Sequence, residues 1–407
     1  MKIELLAPAG DMEKLKTAFY YGADAAYIGG KNFSLRALAG NFNDSEMRSA
    51  IEYAHERGKK IYVTVNIFAR NDDLTAAEDY FKFLNKAGAD GVIISDAGLI
   101  AVCKTVAPEL PISLSTQANT LNHKAVEFWK GQGVKRIILA RELSLNEIKE
   151  IREKVPDIEL ECFIHGAMCI SYSGRCLLSD YKTGRSSNRG ECVQACRWNY
   201  EIREKGSSGA YMEIEEDDRG TYILNSKDLC LIRHIKELAD AGVCSFKIEG
   251  RMKTEYYLAT VINAYRRALD VFYKTGENIK DEYFIRELEK TAHREFTTAY
   301  LLGDNDRTEN FDDSQSKGTR KFIANVLDYK DGYAFVEMRN RFKVGDRLEV
   351  LSPSESFNRI IKVERLTDTD GNAVQDAKLV QQKLKLYTDV VLSKGDMLRL
   401  PLGEDVY

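Results

Sequence analysis

Four of the chain's eight cysteines fall close together, at Cys169, Cys176, Cys192 and Cys196, separated by six, fifteen and three residues. The stretch that holds them, CISYSGRCLLSDYKTGRSSNRGECVQACR, is rich in Gly, Ser and Arg and carries no regular apolar stripe. Core filling therefore does not explain these thiols. Irregular, glycine-bearing backbone lets thiolates converge on one point, which suits an iron–sulfur cluster. Four thiolates also suit tetrahedral zinc, although structural zinc sites favour knuckles of about two to four intervening residues and only the last pair here has that spacing. Unligated buried or redox thiols are the third reading, and spacing alone leaves all three open. The remaining cysteines, Cys103, Cys162, Cys230 and Cys244, sit in or beside apolar runs where a free Cys packs as a small hydrophobe. Cys230 is the one rival ligand among them.

Other chemistry is sparse. The chain has five histidines and neither an HExxH nor a GxSxG motif, so a zincin or nucleophile-elbow hydrolase has no support. His165 alone is well placed, four residues before Cys169, as a site residue or as a hydrogen-bonded structural histidine. In KIEGRMK, Glu249 and Arg251 form either a salt bridge closing the fold or a clamp for a carboxylate or phosphate, a role that suits the planar guanidinium. The basic residues Arg175, Lys182, Arg185, Arg189 and Arg197 are interleaved with Tyr172, Tyr181 and Trp198. That mixture reads as a surface for single-stranded RNA or as a solvated loop.

The elements that position these groups are visible as apolar runs: IELLAP, AAYIGG, KIYVTVN, GVIISD, ISLSTQA, RIILAR, IELECFIHG and SFKIEG. Helix-period segments lie between them, several ending in Gly-Ala or Ala-Gly. Eight near-continuous apolar strands alternating with helices predict a (β/α)8 TIM-like barrel, with a doubly wound open sheet as the alternative. In both, functional groups belong at the C-terminal ends of the strands. That rule selects Asp11, Asn66, Asp96, Gln117, Arg141, His165, Glu249 and Arg251. The cysteine-rich segment, about residues 166–222, is then an insertion after the seventh strand at the catalytic mouth. Residues 1–303 form the barrel unit, the acidic 304–318 a linker, and 319–407 a small C-terminal all-β domain with alternating strands and DG, VGD and TDGN turns. A polar patch at 206–220 reads as a surface excursion.

Hydrophobic residues at 44% and charged residues at 30% are those of a globular protein without a membrane span. The N-terminus has an acid at its fourth position and no signal-like apolar core, so the expectation is a cytoplasmic protein with reduced thiols. A net charge of −4 excludes a globally basic nucleic-acid binder but not a local basic face.

ELLAPAGDMEKLKTAFYYGADAAYIGG, FIHGAMCISYSGRCLLSDYKTGRSSNRGECVQACR, YILNSKDLC and FKIEGRMK together resemble the U32 family, long labelled collagenase-like peptidases. The resemblance covers nearly the whole chain. It implies an oxygen-independent hydroxylase carrying a [4Fe–4S] cluster on Cys169, Cys176, Cys192 and Cys196. For chains with a C-terminal β domain of this size, it implies 5-hydroxyuridine formation at the wobble position of tRNA. A prephenate-like anion is the implied hydroxyl donor and cosubstrate, and a paralogous protein is an allowed partner. Peptidase activity is the alternative that the family label carries, and hydroxylation of another RNA or of a small aromatic substrate is the alternative within the hydroxylase reading.

Overall fold

The computed structural model describes residues 2–35, 40–169, 171–198, 216–217, 220–221, 226–279, 282–303 and 317–402. The proposed linker at 304–318 and the excursion at 206–220 therefore lie almost wholly outside the described residues.

Eight strands are buried along nearly their whole length, and each pairs in parallel with the next. They are β1 (Glu4–Pro8), β2 (Ala25–Gly29), β3 (Lys60–Val65), β4 (Gly91–Ile94), β5 (Ile112–Leu114), β6 (Arg136–Ile138), β7 (Glu159–Ala167) and β8 (Val243–Ile248). β8 pairs in parallel with both β7 and β1, so the sheet closes on itself. That closure decides for the barrel over the open sheet, and it gives every strand two neighbours.

Helices start where side chains cap them. Asp11 accepts from the Lys14 N–H, Asn43 from Glu46, Asp96 from Leu99, Ser144 from Glu147 and Thr254 from Tyr257. Two of the strand-end residues selected from sequence, Asp11 and Asp96, are thus helix caps. A carboxylate there satisfies the orphan N–H groups of the first turn.

The barrel interior departs from the usual aliphatic layers. The Arg136 guanidinium reaches Glu4 at 2.6 Å, Glu159 at 2.7 Å and Glu161 at 3.0 Å. Glu161 also binds the Lys247 ammonium at 2.8 Å, and Glu4 accepts from Tyr62 and Ser245. Buried charges persist when each has a partner of opposite sign, as Arg136, Lys247 and Glu161 do here.

Beyond β7 the chain is pinned before it crosses the mouth. The short strand Asp228–Cys230 lies antiparallel to the end of β7, with Cys230 opposite His165, and Phe296–Thr297 pairs alongside it. A buried Asp228–Arg294 ion pair of 2.6 Å locks this flap.

Residues 320–401 form a seven-stranded antiparallel sheet with its own apolar core, including Ile323, Val336, Leu348 and Leu384. It docks on the flank of the barrel. Tyr21 donates to the Leu351 and Gly395 carbonyls, and Tyr256 stacks on Phe322 with ring centres 5.4 Å apart.

Candidate functional site at the barrel mouth

Sequence order carries the cysteine segment out of β7 and across the C-terminal end of the barrel, and side-chain staples hold it there. Glu142 accepts from both the backbone N–H and the hydroxyl of Ser173 at 2.6 Å. Arg175 Nε donates to the Gln117 carbonyl at 2.8 Å, while Arg189 binds Asp73 at 3.0 Å and the Phe68 carbonyl at 3.0 Å. Asn188 closes the lap by accepting from the Phe68 N–H.

These contacts revise the basic surface read from sequence. Arg175 and Arg189 are committed to fastening the segment onto the loops after β3 and β5. Lys182 and Arg185 stand exposed, beside Tyr181, which is 84% exposed. The side chain of Arg197 lies outside the described residues.

All four segment cysteines line one cavity of about 260 Å³. Cys176 is buried and the other three are partly so. Ser187 and Asn188 both donate to the Cys176 carbonyl, fixing its backbone. The sulfurs also receive hydrogen bonds: Cys176 Sγ accepts from the Leu178 N–H and Cys192 Sγ from the Gln194 N–H, each at 3.4 Å. N–H donors aimed at sulfur favour thiolate and tune whatever it ligates. Burial raises the Cys169 pKa, and the nearby Cys176 and Cys192 add to the rise. A cation among these sulfurs offsets such mutual repulsion. Among the described residues no three His, Cys, Asp or Glu side chains are disposed to hold a single metal ion. Tetrahedral zinc, with bonds of about 2.3 Å, requires sulfurs that nearly touch. These thiols share a cavity without meeting at such a point.

Cys230 does not line the cavity. It is buried in the flap, 3.8 Å from the Tyr265 hydroxyl, and so leaves the ligand candidates.

Beneath the thiols the cavity is polar. Asn66 Nδ2 donates to Gln117 Oε1 at 2.9 Å, and Ser115 donates to the same oxygen at 3.3 Å. The Arg141 guanidinium lies over the Phe163 ring, 3.9 Å from its centre, and 3.8 Å from Glu249. Arg251 also lines the cavity but spends its guanidinium on Ser34, Thr64 and Asn41, at 2.7, 3.0 and 2.6 Å. The acid–base pair read from KIEGRMK thus separates: Glu249 faces Arg141, and Arg251 anchors the loop after β2.

His165 is brought to the wrong side. Strand alternation turns its ring away from the cavity into a shell of Tyr257, Tyr265 and Phe296, and burial lowers its pKa to about 3. Its neighbour in the fold, Lys247, is the residue that sequence reading missed. Its ammonium sits at the cavity wall over the Tyr27 ring, at 4.3 Å, and its pKa is lowered by burial against the opposing pull of Glu161. A lysine inside the apolar run SFKIEG was the available signal, since an unpaired buried ammonium is untenable.

Residues 10–310 match the model of peptidase family U32, and residues 319–399 match the model of the family's C-terminal domain. The chain is 43% identical over 403 residues to tRNA hydroxylation protein P1 of Bacillus subtilis (strain 168), covering 98% of this chain and 94% of that one. It is 39% identical over 414 residues to tRNA hydroxylation protein P of Escherichia coli (strain K12), covering 92% and 91%. A solved U32 peptidase structure superposes with a TM-score of 0.41 at 15% identity, covering 61% of this chain and 94% of that one. With both of its parts matched, the chain belongs to peptidase family U32.

Proposed function

We propose that this protein is a tRNA hydroxylase that forms 5-hydroxyuridine at the wobble position, with a [4Fe–4S] cluster held by Cys169, Cys176, Cys192 and Cys196. The observation that carries the reading is the gathering of four thiols, two of them hydrogen-bonded at sulfur, around one cavity at the C-terminal end of the barrel. Relatives covering nearly the whole chain and named tRNA hydroxylation proteins supply the reaction class. The cluster, when bound, supplies redox and Lewis-acid chemistry.

The remaining work falls to the chain. A base inside a folded anticodon loop must leave its stack to reach a recessed cavity. The exposed Tyr172, Tyr181 and Trp198 offer flat surfaces along that path. The Asn66 and Gln117 amides carry the donor and acceptor groups that match a uracil edge. Arg141 and Lys247 supply positive charge for an anionic, prephenate-like donor, and Glu161 and Glu249 hold these cations in place. A paralogous protein partner is compatible with this scheme.

Anaerobically purified protein should contain iron and acid-labile sulfide, and Cys176→Ser should lose most of both. Restoring the wild-type gene to a deletion strain should restore 5-hydroxyuridine-derived nucleosides in its tRNA, while Cys176→Ser should not. A colourless, zinc-loaded protein, or unchanged nucleosides in the deletion strain, would remove the proposal. Peptidase activity is the reading to test beside it. Among the described residues no histidine lines the cavity to serve as a general base for its serines and cysteines.

A further inference from the structure

The outer face of the C-terminal sheet takes no part in the cavity, yet its side chains are not those of a plain solvated surface. Cross-strand register arranges them in rows. Lys330 stands opposite Tyr333, Tyr333 opposite Tyr387, and the Arg365 guanidinium lies 4.1 Å from the Tyr387 ring centre. In the adjoining row Asp328 faces Phe335, and Phe335 faces Lys385, whose ammonium lies 5.6 Å from the Tyr333 ring centre. Glu337 faces Lys383 in the third row and is held by Arg339 at 3.1 Å.

The alternate residues Ala334, Val336, Leu384 and Leu386 are fully buried, so the two-residue period turns rings and cations outward together. The Tyr333 and Tyr387 rings are 5.7 Å apart. Lys330, Arg365, Lys383 and Lys385 share the face with Asp328 and Glu337; Glu337 is paired with Arg339, and Lys330 lies 3.9 Å from Asp331, on a chain whose net charge is −4.

We infer that this face binds unpaired RNA, with Tyr333, Phe335 and Tyr387 stacking bases and Lys330, Arg365, Lys383 and Lys385 meeting phosphates. Flat rings beside cations match what a single strand presents, and neither reads a base edge, so the contact tolerates different sequences. The inference rests on the RNA-modifying reading and adds to it a second contact surface, on a different domain from the thiol cavity. Its role is to position the substrate.

The test is fluorescence anisotropy of the full-length protein with an unmodified tRNA transcript at several salt concentrations, combined with steady-state hydroxylation. Lys385→Glu, which leaves the core untouched, should weaken binding about tenfold and flatten the salt dependence by about one phosphate contact. Tyr387→Ala should weaken binding about tenfold with the salt slope retained, and Tyr387→Phe should restore it. KM for tRNA should rise while kcat stays unchanged, because the lost contact serves ground and transition states alike. Wild-type binding retained in both Lys385→Glu and Tyr387→Ala, with the wild type binding well, would overturn the inference alone and assign the face to a protein partner. A wild type that neither binds nor hydroxylates tRNA would overturn the inference and the functional reading together.

Discussion

His165 shows what a single side chain gains and loses from its position. Its ring is enclosed by three aromatic neighbours, and burial holds its pKa near 3, so it stays neutral across the physiological range and moves no protons. An unfolded histidine titrates near 6.5, so below that pH the unfolded chain takes up a proton that the folded one refuses. Stability is therefore whole above about pH 6.5 and declines as the pH falls toward 3, by at most about 1.4 kcal/mol per pH unit from this group. His165→Phe should remove that contribution. Denaturant midpoints measured from pH 7.5 to 4.5 should fall more steeply in the wild type than in the variant, and parallel profiles would contradict the assignment. The cavity-lining Lys247 has a different lot: the Glu161 carboxylate, 2.8 Å from its ammonium, opposes the lowering of its pKa by burial, whereas the His165 ring meets the neutral Tyr265 hydroxyl at 3.4 Å among its aromatic neighbours.

At the scale of elements, the exit of β7 decides where the thiols go. Gly166 has φ of +110°, and a Cβ on it would lie 2.4 Å from the Glu249 carbonyl oxygen. This close approach lets the Glu249 N–H bond the His165 carbonyl at 2.9 Å and aims the chain toward Cys169. Gly166→Ala combines backbone strain with a clash against backbone that cannot swing aside. It should cost about 2 kcal/mol or more and lower the iron content of purified protein, read by thermal unfolding and metal analysis. Gly131→Ala is the control, because a Cβ there meets nothing within 4 Å and its helix gains propensity. Equal stability and iron content in the two variants would show that β7 can bend without its glycine.

At the scale of the whole molecule, the domains are joined by a buried charge network. Arg399 is fully buried, with Nε 2.7 Å from Glu349 and a terminal nitrogen 2.9 Å from Glu287 of the barrel unit. Lys290 bridges the same two carboxylates, at 2.5 and 2.7 Å. Removing one member of such a set leaves an uncompensated charge away from water, at a cost of about 3–5 kcal/mol. Arg399→Met should lower the unfolding temperature and separate the domains into two calorimetric transitions. One transition at the wild-type temperature would show that the apolar contacts alone couple them. If the second RNA surface lies where proposed, this rigid joint also fixes its relation to the cavity.

Much of this was legible in the sequence because it is local. Apolar runs with helical segments between them specify eight strands, whatever the rest of the chain does. Four cysteines in polar, glycine-rich sequence declare that they are not core. Asn66, Gln117, Arg141, Glu249 and Arg251 were all selected by the strand-end rule, and all line the cavity. What sequence could not give was partner and direction. Asp11 and Asp96 satisfy the same rule, yet they cap helices. Arg175 and Arg189 look like phosphate ligands until the fold brings the Gln117 carbonyl and Asp73 to them. Glu249 and Arg251 are neighbours in sequence, but closure of the barrel gives them different partners. A residue's type and spacing fix what it can do; which groups it meets across the fold is set by strand register and closure, which bring together residues far apart in the chain, such as Arg175 with Gln117 and Arg251 with Ser34, that no local pattern pairs.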